Sequence, residues 1–363
     1  MVGTPDADVQ IGFRGVISAR IRAIGHHAPP WDRHRSAMLL FDTQVSPATL
    51  LLLALSLDGV LGEPRWLWGR IGHPVAWLGR LIGWCDRTFN READLVQRRL
   101  AAGAVVAIAV IGATASLGAL VAWAAAAIPG GWLVELALVA ILLAFRSLHD
   151  HVSAVADGLD HSLDAGRGAV AHIVGRDPDT LDAHGVARAA IESTAENFVD
   201  GILAPALWYL AFGLPGLFAY KAVNTLDSQI GHRTPRHQAF GRVAARIDDA
   251  ANWLPARAAA VLLAVAALPA VGRAKTALAS ALRDAGQHRS VNAGWPEAAM
   301  AGALGLRLAG PRWYGGTLVP DAWMGQGRAE AGSSDIRAAL SVMTTATLVL
   351  AAVSLALALA VHL

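Results

Sequence analysis

The chain has 363 residues, of which 55% are hydrophobic and only 16% charged, with a mean hydropathy of +0.43. Soluble domains carry about 25% charged residues, so this balance points to an integral membrane protein, and a formal net charge of +2 gives a nucleic-acid partner no support. The single cysteine, Cys85, excludes an intrachain disulfide and any cysteine-based metal motif, which suits working parts that face a reducing cytoplasm.

Residues 1–37 are polar, with prolines and scattered arginines, and lack the long apolar core of a secretory signal. They read as a disordered extension, and Met38 opens the membrane-like sequence of a single domain, 38–363. Residues 47–62 (PATLLLLALSLDGVLG) are apolar but short for a span, with Asp58 inside. An ionisable residue in a span is a functional candidate by default. The Arg-rich stretch from Arg65 to Arg99 is expected on the cytoplasmic side. Residues 101–128 carry no charge, Pro129-Gly130-Gly131 forms a turn, and 132–145 returns as the second limb of a helical hairpin containing Glu135. A span needs about 20 apolar residues. Trp66, Trp68, Trp77, Trp84 and Trp253 fall beside span ends, where their amphipathic rings favour the interface.

Polar helices are predicted between the spans. Leu148, Val152, Val155 and Leu159 recur at helical spacing in 147–164, and Asp177–Thr180 supplies cap and turn chemistry before a helix over 181–197. The segment 202–220 is apolar but broken by Gly213-Leu214-Pro215-Gly216. A single crossing there would separate the polar clusters on its two sides, so two half-helices that dip in and return are expected. Residues 253–271 and 338–363 complete the apolar set. The fold class is all-α, a polytopic membrane protein with helical hairpins and cytoplasm-facing polar helices.

Chemistry-bearing residues gather at the span ends. In IESTAENFVDG (191–201), Glu192, Glu196 and Asp200 recur every four residues and would line one helix face. Stacked like charges need a divalent cation, arginines or solvent, and oxygen-only ligands suit Mg²⁺. A solvated acidic face is the bland alternative. In 220–237, Asn224, Asp227 and Ser228 share a face with Lys221 one turn earlier, followed by Arg233, Arg236 and His237. Lys and Arg together can hold phosphate oxygens, although a positive cytoplasmic loop would look the same. In 246–257, Asp248 pairs with Asn252 and Asp249 with Trp253 at one-turn spacing, as a charged helix end before a span would. In 289–305, Asn292, Gly294, Pro296 and Glu297 open a small-residue helix whose amides could accept an anion.

Other signatures fail. There is no P-loop and no dinucleotide fingerprint. The histidines of His149-Asp150-His151 point to different sides of a helix and read as solvated surface. DGLDHSLDAGRGAV echoes the acidic motif of lipid-alcohol phosphotransferases, but its later aspartates do not match.

Taken together, LDGVLGEPRWL with GHPVAWLGRLI, IVGRDPDTLDAHGVARAAIESTAENFVDGILAPALW, PGLFAYKAVNTLDSQIGHR, FGRVAARIDDAANWLPAR and NAGWPEAAMAGALGLRLAGPRWYGG resemble the adenosylcobinamide-phosphate synthase family of cobalamin biosynthesis. The stretches come in the family's order over about 50–316, with departures at Gly59, His232 and Val291. The resemblance implies a ligase in the inner membrane, with its active site on the cytoplasmic side. It would join adenosylcobyric acid to aminopropanol or its O-phosphate, with ATP and Mg²⁺ as helpers. Glu192, Glu196, Asp200, Asp227, Asp248 and Asp249 would then supply the base and metal ligands, the metal set being Glu196, Asp200, Asp227 and Asp248. Lys221, Arg233 and Arg246 would clamp phosphate, with Asn224, Asn252 and Asn292 in the same binding set. Partners would be the bilayer and other corrinoid-pathway enzymes. A transporter with acidic ion-coupling sites and a membrane scaffold for corrinoid enzymes are the rival readings; a carrier would concentrate its polar groups in mid-membrane, whereas here they lie at span ends.

Overall fold

A computed structural model describes residues 45–62, 65–174, 178–314 and 317–360. The expected extension over 1–37, the start at Met38, and Glu63 and Asp177 lie outside these residues. The helices follow the apolar periods closely. They run α1 Pro47–Leu61, α2 Arg65–Ile71, α3 Pro74–Phe89, α4 Val96–Ala126, α5 Trp132–Leu142, α6 Phe145–His161, α7 Leu163–Val170 and α8 Ala183–Phe198. A π-helical turn, Val199–Leu203, leads into α9 Ala204–Ile230; then come α10 His237–Phe240, α11 Arg242–Ala251, α12 Trp253–Val271, α13 Ala274–Asp284, α14 Gly294–Leu304 and α15 Ser333–Ala360. Two small antiparallel ribbons lie between α14 and α15: β1 Leu308–Ala309 pairs with β4 Trp323–Met324, and β2 Arg312–Tyr314 with β3 Thr317–Val319. The sequence reading had no strands.

Four helical stretches among the described residues are long and apolar enough to cross a membrane: 96–126, 132–161, 183–230 and 333–360. α4 has 31 residues and so a length of about 46 Å at 1.5 Å per residue, and it turns Val105, Ile108, Leu117, Leu120 and Trp123 outward. Such a face is costly in water and suits lipid. α8 is the opposite kind of helix. It is rich in alanine and buried among α6, α15 and α14, with Val186, Ala187, Ala190 and Ile191 fully covered. α1 stays at 15 residues, and Asp58 inside it is buried and accepts the Phe145 N–H at 2.8 Å. That carboxylate caps α6, whose own N-cap residue Ala144 has no side chain to offer. The candidate functional Asp58 therefore holds a helix end.

A straight helix over 183–230 would measure about 72 Å, against a hydrocarbon core of about 30 Å. The chain instead reverses at Gly213, whose φ of 63° and ψ of −153° lie outside the helical region. Only glycine adopts that conformation readily, and Pro215 cannot donate the hydrogen bond a continuous helix would need. The Trp208 and Tyr220 rings consequently face each other with centroids 6.4 Å apart, and Asn224 donates to Asp200 at 3.0 Å. The expected pair of half-helices is present. α4 seats the turn, with Gly118 against the Leu214 carbonyl so closely that a Cβ there would lie 2.7 Å from it.

The hairpin places both of its ends on one side. In a Cys85→Ser background, single cysteines at the exposed positions Asn197 and Gln229 should react with an impermeant thiol reagent from the same membrane face. Labelling from opposite faces would rule the reversal out.

Candidate functional site

Where α8 ends, the backbone widens into the π turn Val199–Leu203, a local form that recurs at functional sites. Glu196 precedes the turn and Asp200 sits in it. The α9 reversal returns Asp227 to the same place, and the 44° bend between α11 and α12 at Asn252 brings in Asp248 and Asn252. The loop before α14 adds Ser290 and Asn292. Together they line a polar cavity of about 230 Å³. All four carboxylates expected to hold a metal, Glu196, Asp200, Asp227 and Asp248, thus share one wall system, although they come from segments up to 52 positions apart in sequence.

Neutral donors fix the carboxylates. Asn224 donates to Asp200 Oδ2. The Tyr220 hydroxyl reaches Asn252 Oδ1 at 2.9 Å and Asp200 Oδ1 at 3.5 Å, and Asn252 donates to Asp248 Oδ1 at 3.1 Å. Asp200 and Asp248 are therefore joined through one tyrosine and one asparagine, both buried. Asn292 donates to the Asp249 carbonyl at 2.9 Å and accepts from Arg257 at 3.3 Å. The Arg257 guanidinium lies over the rings of Trp253 and Trp295, 4.2 and 4.9 Å from their centroids, so one cation ties the α14 loop to α12.

The electrostatics follow from this crowding. Asp248 lies on the amphipathic α11, ahead of the apolar limb. Burial, and after it the like charges of Asp200 and Asp227, push its carboxyl from 3.8 up to about 8. Lys221 is near enough for its charge to act on Asp200, and His232 near enough to act on Asp227. Among the described residues, no three His, Cys, Asp or Glu side chains close around a point that could hold a metal. The cavity does not form a protein-only cage. An ion that keeps its waters and shares substrate phosphates, as Mg²⁺ does, would need only one or two of these carboxylates.

Other expected residues lie apart. Glu192 does not line the cavity. It is buried, and its Oε1 accepts the Ala309 N–H at 2.8 Å, where Ala309 holds a left-handed φ of 58°. The reason is helical drift: each four-residue step turns about 40° further, so Glu192 stands about 80° round from Asp200. Asp249 turns to Arg246, 3.5 Å away at the surface, and Arg233 is exposed on the loop after α9. Arg246 and Arg233 do not line the cavity. Glu297 is buried at 3.4 Å from His288.

A cluster absent from the sequence reading anchors that loop. Asp86 receives two bonds from Arg236, at 2.9 and 2.7 Å, and one from Asn90 at 2.7 Å. Arg99 binds Asn90 and the Arg236 carbonyl. Asp86 and Asn90 at one-turn spacing were the available signal; their partner lies 150 positions away.

The family described as CobD/Cbib protein matches residues 51–343. A protein named cobalamin biosynthesis protein CobD from Sinorhizobium sp is 51% identical over 321 residues, covering 86% of this chain and 99% of its own. One of that name from Rhizobium meliloti (strain 1021) is 51% identical over 304 residues, 82% and 92% of the two chains. Another from Rhodobacter capsulatus is 49% identical over 282 residues, 76% and 86%. No solved structure matches.

Two outcomes follow from the site. The raised Asp248 value means the folded state holds that proton more tightly than the unfolded chain. The associated stability is complete below about pH 4 and lost as pH rises through about 8. In ligand-free purified protein, Tm should fall across that window, and Asp248→Asn should flatten the fall and raise Tm at pH 8. A wild-type slope in the variant would contradict this. Glu192→Ala leaves the buried Ala309 N–H without its acceptor and should cost about 1–3 kcal/mol of stability, read as a lower Tm; an unchanged Tm would contradict this.

Proposed function

The chain belongs to the CobD/Cbib protein family and acts in cobalamin biosynthesis, and from that premise we propose that it is the ligase that forms the amide between a propionate carboxyl of adenosylcobyric acid and (R)-1-amino-2-propanol or its O-phosphate. ATP is the cosubstrate in this reading, and residues 38–363 act as one integral membrane catalytic unit of the inner membrane, with the acidic cavity open to the cytoplasm. The observation that carries the reading is the convergence of Glu196, Asp200, Asp227 and Asp248 on one polar cavity.

The chemistry has two demands. A carboxylate is a poor electrophile, so its oxygen must first take a phosphoryl group from ATP. The amine, present as an ammonium ion, must then lose a proton before it attacks the acyl carbon and expels phosphate. Mg²⁺, when bound, would supply charge neutralisation between the phosphates and the carboxylate wall. Asp200 and Asp227 are the residues to hold it, with Glu196 at the exposed rim. Asp248, with its value near 8, is matched to accepting the ammonium proton near neutral pH. Tyr220 and Asn252 keep that carboxyl and Asp200 in fixed orientation. Lys221 stands beside the acidic wall and, with Arg233 and Arg246 reorienting from the surface, would clamp the phosphates. Asn292 also lines the cavity and would accept from or donate to the amide being formed.

The carrier alternative would use the same carboxylates to bind an ion without turnover. The test is turnover. Detergent-purified protein, adenosylcobyric acid, aminopropanol phosphate and Mg-ATP should give the amide product by chromatography. Asp200→Asn and Asp248→Asn should each lower the rate by about 10²–10⁴ while the protein still inserts and folds. Near-normal rates in both variants would end the proposal.

A further inference from the structure

A second cavity, about 370 Å³ in volume, opens where α5 meets α6 and is lined by Ser147, His151, His172, Asn197 and Gly201. It shares a wall with the acidic site. Asn197 and Gly201 line it, while their chain neighbours Glu196 and Asp200 line the first cavity. The π turn thus separates two cavities with contrasting chemistry, one of carboxylates and one of imidazoles. Asn197 holds its place by donating to Ser193, at 2.9 Å to the carbonyl and 3.1 Å to the hydroxyl.

His151 is exposed, and its Nδ1 lies 2.7 Å from the Ser147 carbonyl. A carbonyl oxygen only accepts, so Nδ1 carries the hydrogen and Nε2 carries the lone pair. Histidines that ligate metals hold their second nitrogen against a carbonyl or carboxylate in this way, which fixes the ring's orientation. His184 has the same tie, at 2.8 Å to the Ala331 carbonyl, but lines neither cavity.

Resting on the function proposed above, we propose that His151 binds the corrinoid substrate through its metal, with Nε2 taking an axial position on the cobalt. The Nε2 lone pair forms the Co–N bond and one axial water leaves. The oxidation state of the cobalt does not change and no proton moves. A corrin macrocycle is too large to enter this cavity whole, so it lies over the mouth with one axial face toward the imidazole. In the substrate of the proposed reaction, the propionate arm to be amidated then extends past the π turn toward Asp200 and Asp248. The ligand is a nucleotide-free cobalt corrinoid with an exchangeable axial site.

The experiment titrates the full-length protein in detergent with diaquocobinamide. It reads visible absorption, and then the EPR spectrum after reduction to the Co(II) form. The wild type should shift the absorption bands and show superhyperfine splitting from one nitrogen. His151→Gln should lose both signatures, and His184→Ala should keep them. Splitting that persists in His151→Gln, or that disappears only in His172→Gln, overturns the assignment. Corrinoid bound by the wild type without nitrogen splitting defeats this inference and leaves the ligase reading standing. A wild type that neither binds the corrinoid nor yields the amide product defeats both.

Discussion

The hydrogen bond from Asn224 to Asp200 closes a loop of 24 residues. It exists because the chain turns back at Gly213 instead of crossing as one rod. Without that reversal Asp227 would lie about 40 Å from Asp200 along a helix, and no acidic cavity would form. The remaining elements serve the turn: α4 seats its tip, α5 offers Glu135 to the Tyr209 hydroxyl at 2.8 Å, and α12 begins where Tyr220 meets Asn252. A long outward-facing apolar helix and a short inward hairpin are thus two halves of one device. The first provides the surface that suits lipid, and the second gathers the polar groups around one cavity.

The same convergence carries a cost. Carboxylates gathered in a partly desolvated cavity repel one another; amides and a phenol hold them in place, and Lys221 and His232 act on Asp200 and Asp227 by charge. Asn224, Asn252 and Tyr220 orient lone pairs without neutralising charge. Added positive charge gains most at such a site.

Much of this was legible from residues alone. The apolar runs gave the helices, and Gly213 with Pro215 gave the reversal, because both act through local backbone rules that need no partner. The family motifs gave the acidic positions. Three things were not legible. The four-residue spacing put Glu192 with Glu196 and Asp200, but rotational drift and a buried backbone amide at Ala309 draw it elsewhere. Asp58 looked functional because it is ionisable within an apolar run; its partner, the Phe145 N–H, is 87 positions away. The π turn and the strands over 308–324 depend on tertiary packing and leave no period in the sequence.

The most direct measurement of the central claim is manganese EPR on the purified protein, with Mn²⁺ in place of Mg²⁺ and ATP present. The account predicts nucleotide-dependent uptake of Mn²⁺ by the wild type and by Glu192→Ala, with uptake lost in Asp200→Ala and Asp227→Ala. Equal Mn²⁺ uptake by all four proteins would contradict a shared carboxylate site at the π turn.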